Sequence, residues 1–344
     1  DIDDLVNRDL GFYDYRPVGG EVVWGLTGSP YHVTDDVKIP NGVVFKVEPG
    51  VSIYVNEGLK IEVEGTALVE GDLNRRIYFS HLPGSQFVND DAGNGGLPDA
   101  PPKWKGLKLL NTLDEDNIIK HADFDSAQDE EGAIGVLNSQ CIIDDVSFNR
   151  THIRMIYTED ASVIIRNTKF PDMFSESEGP AELGLDNISE HIKGIGEIPS
   201  GGRYIIRDNF FGSNKGHNDV IDVDSGWRPN PILQIIGNYF SGTGDELCDL
   251  GGDVFLSENI FLNVFKDDET SDRGYANAIS TGDVGPDATF SISRNIFADV
   301  DHAISLKIQS SQRQLLSVLG GGPKKISVGE VRGPKTFRRR DSSG

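Results

Sequence analysis

The segment IIRDNFF, residues 205–211, decides the fold because it is not alone. Counting back from Phe211, an aliphatic (Ile206) stands five residues earlier and an amide (Asn209) two residues earlier. The frame returns in IIKHADF (118–124), IIDDVSF (142–148), IIRNTKF (164–170), QIIGNYF (234–240), FLSENIF (255–261) and SISRNIF (291–297). The aliphatic anchors are Ile119, Ile143, Ile165, Ile206, Ile235, Leu256 and Ile292, and the last four copies carry Asn209, Asn238, Asn259 and Asn295. Successive final phenylalanines are 24, 22, 41, 29, 21 and 36 residues apart, so a unit of about 21 to 24 residues recurs with insertions.

Working outward, the unit is rich in short apolar alternation and lacks helical periodicity, which suits one coil of a β-solenoid whose strands pair with their copies in the next coil. The Asn positions are then expected to stack as a hydrogen-bonded ladder and the Phe positions as an aromatic one. Ahead of the repeats, Val43 to Val69 alternates and supplies the first coils. The opening residues, about 1–20, read as a cap over the end of the stack. The fold expected is all-β, a parallel β-helix over residues 1–306 with that cap and loop insertions at 84–103, 171–203 and 265–275; residues 171–203 fit either an insertion or a degenerate coil.

Composition narrows the partners. The formal net charge of −23 repels phosphates and sets nucleic acid aside. No apolar run approaches the roughly 18 residues a membrane span needs. Cys141 and Cys248 are too few for a disulfide framework and lack metal-ligand spacing, so buried thiols are expected. No signal peptide opens the chain, so a secreted form is expected to begin at Asp1 or to have lost its leader. From Lys307 to Gly344 nine basic residues face two acids and the Asn/Phe punctuation ends. This basic tail is set apart from the helix, as a disordered or foreign end.

The runs VVFKVEPGVSIYV (43–55), LKIEVEGTALVEG (59–71), RRIYFS (75–80) and WKGLKLLN (104–111), with the punctuated coils after them, resemble the right-handed parallel β-helix superfamily of secreted bacterial proteins. The resemblance covers about residues 20 to 306. Members include pectate lyases, polygalacturonases, alginate-modifying enzymes and surface proteins. It implies an extracellular or periplasmic location and a polysaccharide partner. The chain departs from the polygalacturonase pattern, having no NTD followed by paired DD and GHG, and KDDET (266–270) matches no family signature.

The acidic stretch GHNDVIDVDSGWRP (216–229) is the candidate site. Aligning the strands that follow the Phe anchors places Ile221, Cys248, Ile279 and Ile304 at one inward position and Asp222, Asp249, Ser280 and Ser305 at the outward position beside it. Neighbouring strands lie about 4.8 Å apart, so Asp222 and Asp249 are expected as close neighbours, with Asp224 about 7 Å along the strand. Like charges that close raise one another's pKa or recruit a cation. Three readings stay open: a solvated acidic face, a hard-cation site, and a catalytic carboxylate pair of the kind glycosidases use.

For a calcium site the ligands are Asp219, Asp222, Asp224, Asp245, Glu246, Asp249, Asp267 and Asp268. For catalysis Asp222 and Asp249 are joined by His217, Arg228, Lys266 and Arg273, with Lys215 a further basic neighbour. Trp227 and Tyr275 are placed to stack on sugar rings. A metal would be needed to bridge this acidic protein to an acidic polysaccharide, but not to a neutral one. The expected function is a polysaccharide lyase or glycoside hydrolase; the alternative is a non-enzymatic carbohydrate-binding or adhesion module. The oligomeric state is left open.

Overall fold

The computed structural model describes residues 20–81, 103–151, 153–173, 189–214, 218–266, 275–281 and 288–306, with the backbone of 315–319. The expected cap, the 84–103 insertion apart from Lys103, most of the 265–275 loop and most of the basic tail lie outside these residues.

Every coil of the repeat region contributes strands to three walls. One coil runs Tyr204–Arg207, Phe210–Phe211, Ile221–Asp224, and the next runs Leu233–Ile236, Tyr239–Phe240, Glu246–Gly251. The third follows as Val254–Ser257, Ile260–Val264, Asn277–Thr281. Strands of the first two walls join in one 19-stranded sheet, and those of the third form a 10-stranded sheet. Each strand pairs in parallel with its copy one coil away, so the molecule is the expected parallel β-helix. The stretch 171–203 contains the third-wall strand Ile192–Ile195, paired with Ile156–Glu159 and Ile221–Asp224; it is a coil carrying an insertion.

Register follows the repeat frame. Ile119, Ile143, Ile165, Ile206, Ile235, Leu256 and Ile292 pair successively. All but Ile292, at 3 % exposed, are completely buried. Each such side chain contributes roughly 1.5–3 kcal/mol of apolar burial, and slipping one residue would turn the row into solvent. Phe79, Phe124, Phe148, Phe170, Phe211, Phe240, Phe261 and Phe297 form the aromatic ladder, with centroid spacings from 4.5 to 6.0 Å. Cys141 and Cys248 are buried free thiols.

The bend between the first and second walls explains the Asn frame. One residue there takes a left-handed backbone, as Asp208 (φ 57), Gly237 (φ 69), Glu258 (φ 63) and Arg294 (φ 54) do. Strand pairing is interrupted there, and the next residue restores it through its side chain. Asn209 Nδ2 donates to Asn238 Oδ1, Asn238 Nδ2 to Asn259 Oδ1 and Asn259 Nδ2 to Asn295 Oδ1, each at 3.0 Å. The same oxygens accept the backbone N–H of the preceding Asn, and each amide also donates to a carbonyl, as Asn238 does to Ile206. Buried polar groups are thereby satisfied without a continuous strand.

Candidate functional site

The outer face of the third wall carries two rows that run along the solenoid axis. The first is Tyr157, Lys193, Asp222, Asp249, Ser280 and Ser305, each paired with the next. The expected Asp222 and Asp249 neighbours are therefore in register. The second row lies upstream of a bend at which Met155, His191, Val220 and Leu247 turn inward. Ile156 pairs with Ile192 and Ile192 with Ile221, so Arg154, Glu190 and Asp219, each two residues earlier, fall in adjoining coils. Glu246, paired with Asn277, and Asn277, paired with His302, continue that row.

Charge along these rows is segregated. Arg154 Nε holds Glu190 Oε2 at 2.8 Å and stacks its guanidinium over the Tyr157 ring. Lys193 Nζ is salt-bridged to Asp222. Burial works against the Lys193 ammonium, but the Asp222 carboxylate outweighs it and the pKa is raised. Lys193 is therefore protonated and unsuited to act as a base. Burial pushes the Glu190 carboxyl upward against the pull of Arg154.

Beyond Asp222 the described residues of the two rows include no lysine or arginine. Asp219 keeps part of its surface open, yet its Oδ1 is sealed from solvent with no hydrogen-bond partner. Burial, then the charges of Glu246, Asp249, Asp222 and Asp245, push its carboxyl well above the ordinary carboxylate range. A carboxylate deprived of water and surrounded by like charge favours a proton or a cation. Carboxylate oxygens of Asp219, Asp245 and Glu246 lie within 4.8 Å of one another. That spacing and hard-oxygen donor set fit one calcium ion, whose ligand distances are about 2.3–2.6 Å.

The other candidates separate. Asp222, expected as a metal ligand and as a free member of a catalytic pair, is claimed by Lys193. Asp224 is exposed at the end of its strand, opposite Gly251. Trp227, expected to stack on sugar, is partly buried and packs against the core. The backbone N–H of Arg228 donates to Asp253 Oδ2 at 2.8 Å, which ties Arg228 to the turn after the strand. The Lys266 N–H donates to Asp301 Oδ2 at 3.0 Å, while its Nζ is sealed without a partner. Tyr275 is 62 % exposed, with its ring 4.5 Å from that of His302. His217, Asp267, Asp268 and Arg273 lie outside the described residues.

The sequence reading missed Arg154, Tyr157, Glu190 and Lys193. The signal existed: HIKGI (191–195) places Ile192 and Lys193 as VIDVD places Ile221 and Asp222. Lys108 also stands in the outward row, but it is fully buried and its ammonium is engaged by Asp129 and the Glu131 and Gly132 carbonyls. Burial lowers its pKa to about 8. No helix among the described residues is long and apolar enough to cross a membrane. No protein-family model, curated protein or solved structure matches the chain.

Proposed function

We propose that the protein is a secreted glycoside hydrolase acting on a neutral polysaccharide, with Asp219 as the proton donor and Asp249 as its ionised partner. The observation that carries this reading is the sealed, unpartnered Asp219 oxygen among four other carboxylates. Glycosidic cleavage uses one carboxyl as proton donor and a second as its partner, and the raised Asp219 carboxyl suits the donor. Asp219 passes its proton to the leaving glycosidic oxygen as the bond from that oxygen to the anomeric carbon breaks. Water adds to that carbon and yields its proton to Asp249. The lyase alternative needs a base, and Lys193, the nearest amine in the row, is protonated through Asp222. The acidic face also repels uronates, which favours a neutral chain. The extracellular or periplasmic location rests on the resemblance to secreted β-helix proteins.

The test is turnover by wild type and Asp219→Asn on a panel of neutral and uronate polysaccharides. A fall of about 10²–10⁴ in kcat on a neutral glycan, with the fold intact, is expected for loss of a general acid. Wild-type turnover in the variant, or no turnover of any glycan by wild type, overturns the reading and leaves a binding module.

One observation favours a second reading, a calcium centre: the clustering of the Asp219, Asp245 and Glu246 oxygens. A bound ion would hold Asp219 ionised, so the two readings predict opposite responses. If Asp219 is the acid, millimolar Ca²⁺ competes with its proton and slows turnover. If it is a ligand, Ca²⁺ raises the melting temperature and sustains activity.

A further inference from the structure

Two coils beyond Glu246 along the same face lies an aromatic pair that the hydrolysis step does not use. Tyr275 is largely exposed, and its ring rests against that of His302 at a 45° tilt. A chain of polar contacts ties the pair to the carboxylates. Asn277 Nδ2 donates to Glu246 Oε1 at 3.0 Å, and His302 Nδ1 lies 3.2 Å from Asn277 Oδ1. With its amide nitrogen committed to Glu246, Asn277 presents an oxygen to the histidine, so Nδ1 carries the proton in that contact. This leaves Nε2 of His302 outside that contact, as the ring atom for a sugar hydroxyl. Asn277 is buried, at 7 % exposed, so the relay is held while the rings at its end meet solvent.

The spacing gives the pair a meaning. Rungs are about 4.8 Å apart, so the His302 rung, three coils along from Asp219, stands about 14 Å from it. That is the length of about three linked pyranose rings laid along the axis. The pair combines an apolar ring face, a phenol hydroxyl and an imidazole nitrogen, which suits the C–H face and hydroxyls of an uncharged sugar.

We infer that Tyr275 and His302 form a sugar-stacking subsite, positioned by Asn277, that holds a neutral pyranose about three residues from the bond cleaved at Asp219. The inference rests on the hydrolase reading for its distance from the chemistry, but the subsite itself can be tested separately. Asn277 is a positioning residue; Tyr275 and His302 touch the sugar.

The experiment compares wild type, Tyr275→Ala, Tyr275→Phe, His302→Ala and Asp219→Asn, using hexaoses and trioses of cellulose, xylan, mannan and laminarin. The same proteins are run in gels containing each parent polysaccharide. If wild type cleaves a hexaose, Tyr275→Ala and His302→Ala are expected to raise its KM roughly three- to tenfold with kcat little changed. Tyr275→Phe should retain most of the affinity, and turnover of the triose, too short to span both sites, should be indifferent to Tyr275. An unchanged hexaose KM in both alanine variants overturns the subsite. If wild type cleaves nothing but is retarded by one of the gels, release of that retardation by Tyr275→Ala supports the subsite while the hydrolase reading fails. Equal retardation of wild type and Tyr275→Ala, or no retardation at all, refutes the subsite directly. Asp219→Asn should lose turnover and keep retardation, which separates the two sites.

Discussion

At the scale of single residues, two buried titratable groups set opposite pH responses. Asp219 has a raised carboxyl pKa, so its stabilising contribution is complete below the ordinary carboxylate value near 3.8 and is lost as pH rises through the raised value. Asp219→Asn should therefore increase the melting temperature at neutral pH and flatten its fall above pH 4; a lower melting temperature at pH 7 would show that the ionised carboxylate is bound to something. His191 behaves in reverse. It lies edge-on between Phe170 and Phe211, its Nε2 donates to the Pro171 carbonyl at 2.8 Å, and burial lowers its pKa to about 4. A depressed histidine stabilises above its unfolded value near 6.5 and loses that contribution as pH falls toward 4. Replacing His191 with Leu should remove this part of the acid transition, measured as melting temperature from pH 7 to 4. Asp219 was visible in the sequence as one acid among many. Its particular environment was not, because the acids that act on it, Asp222, Asp245, Glu246 and Asp249, come from two coils.

At the scale of the element, the Asn ladder and the Phe stack hold the second wall in place against the first. Removing the Asn238 amide deprives the Asn209 N–H and Nδ2 of their acceptor and the Ile206 carbonyl of a donor, in a buried bend. Each stranded group costs about 1–3 kcal/mol, so Asn238→Leu should lose about 3 kcal/mol or more in denaturant unfolding. Phe240→Ala, which opens the ladder between Phe211 and Phe261, should cost about 3–5 kcal/mol. A loss below about 1 kcal/mol in either variant would mean that the ladders are incidental to stability. These elements were legible because each coil repeats the same anchor at the same offset. The rows through Arg154, Glu190 and Lys193 were harder to see, since Phe170 and Phe211 are 41 residues apart and the insertion in that coil masks the strand that carries Lys193. Trp227 had no copies in other coils, so nothing in its spacing distinguished a core contact from a ligand contact.

At the scale of the whole molecule, the solenoid makes chemistry additive along an axis. Each coil meets only its neighbours, and the outward positions become a linear track in which sequence order is spatial order. On that track Arg154, Tyr157, Glu190 and Lys193 come first, the carboxylates of Asp219, Asp222, Glu246 and Asp249 follow, and Asn277, Ser280, His302 and Ser305 end it without a carboxylate. Backbone amides of the central coils should exchange most slowly and those of Ile296–Val300 and His302–Leu306 faster, as these strands pair within the described residues only with Ile260–Val264 and Asn277–Thr281. Uniform exchange along the axis would deny the one-dimensional picture. The central claim is that burial and the surrounding acids hold the Asp219 carboxyl above the ordinary carboxylate range, and a ¹³C NMR titration of its carboxyl carbon in calcium-free solution tests it most directly. The account predicts a midpoint well above the ordinary carboxylate value; a midpoint near 4 or below would contradict it.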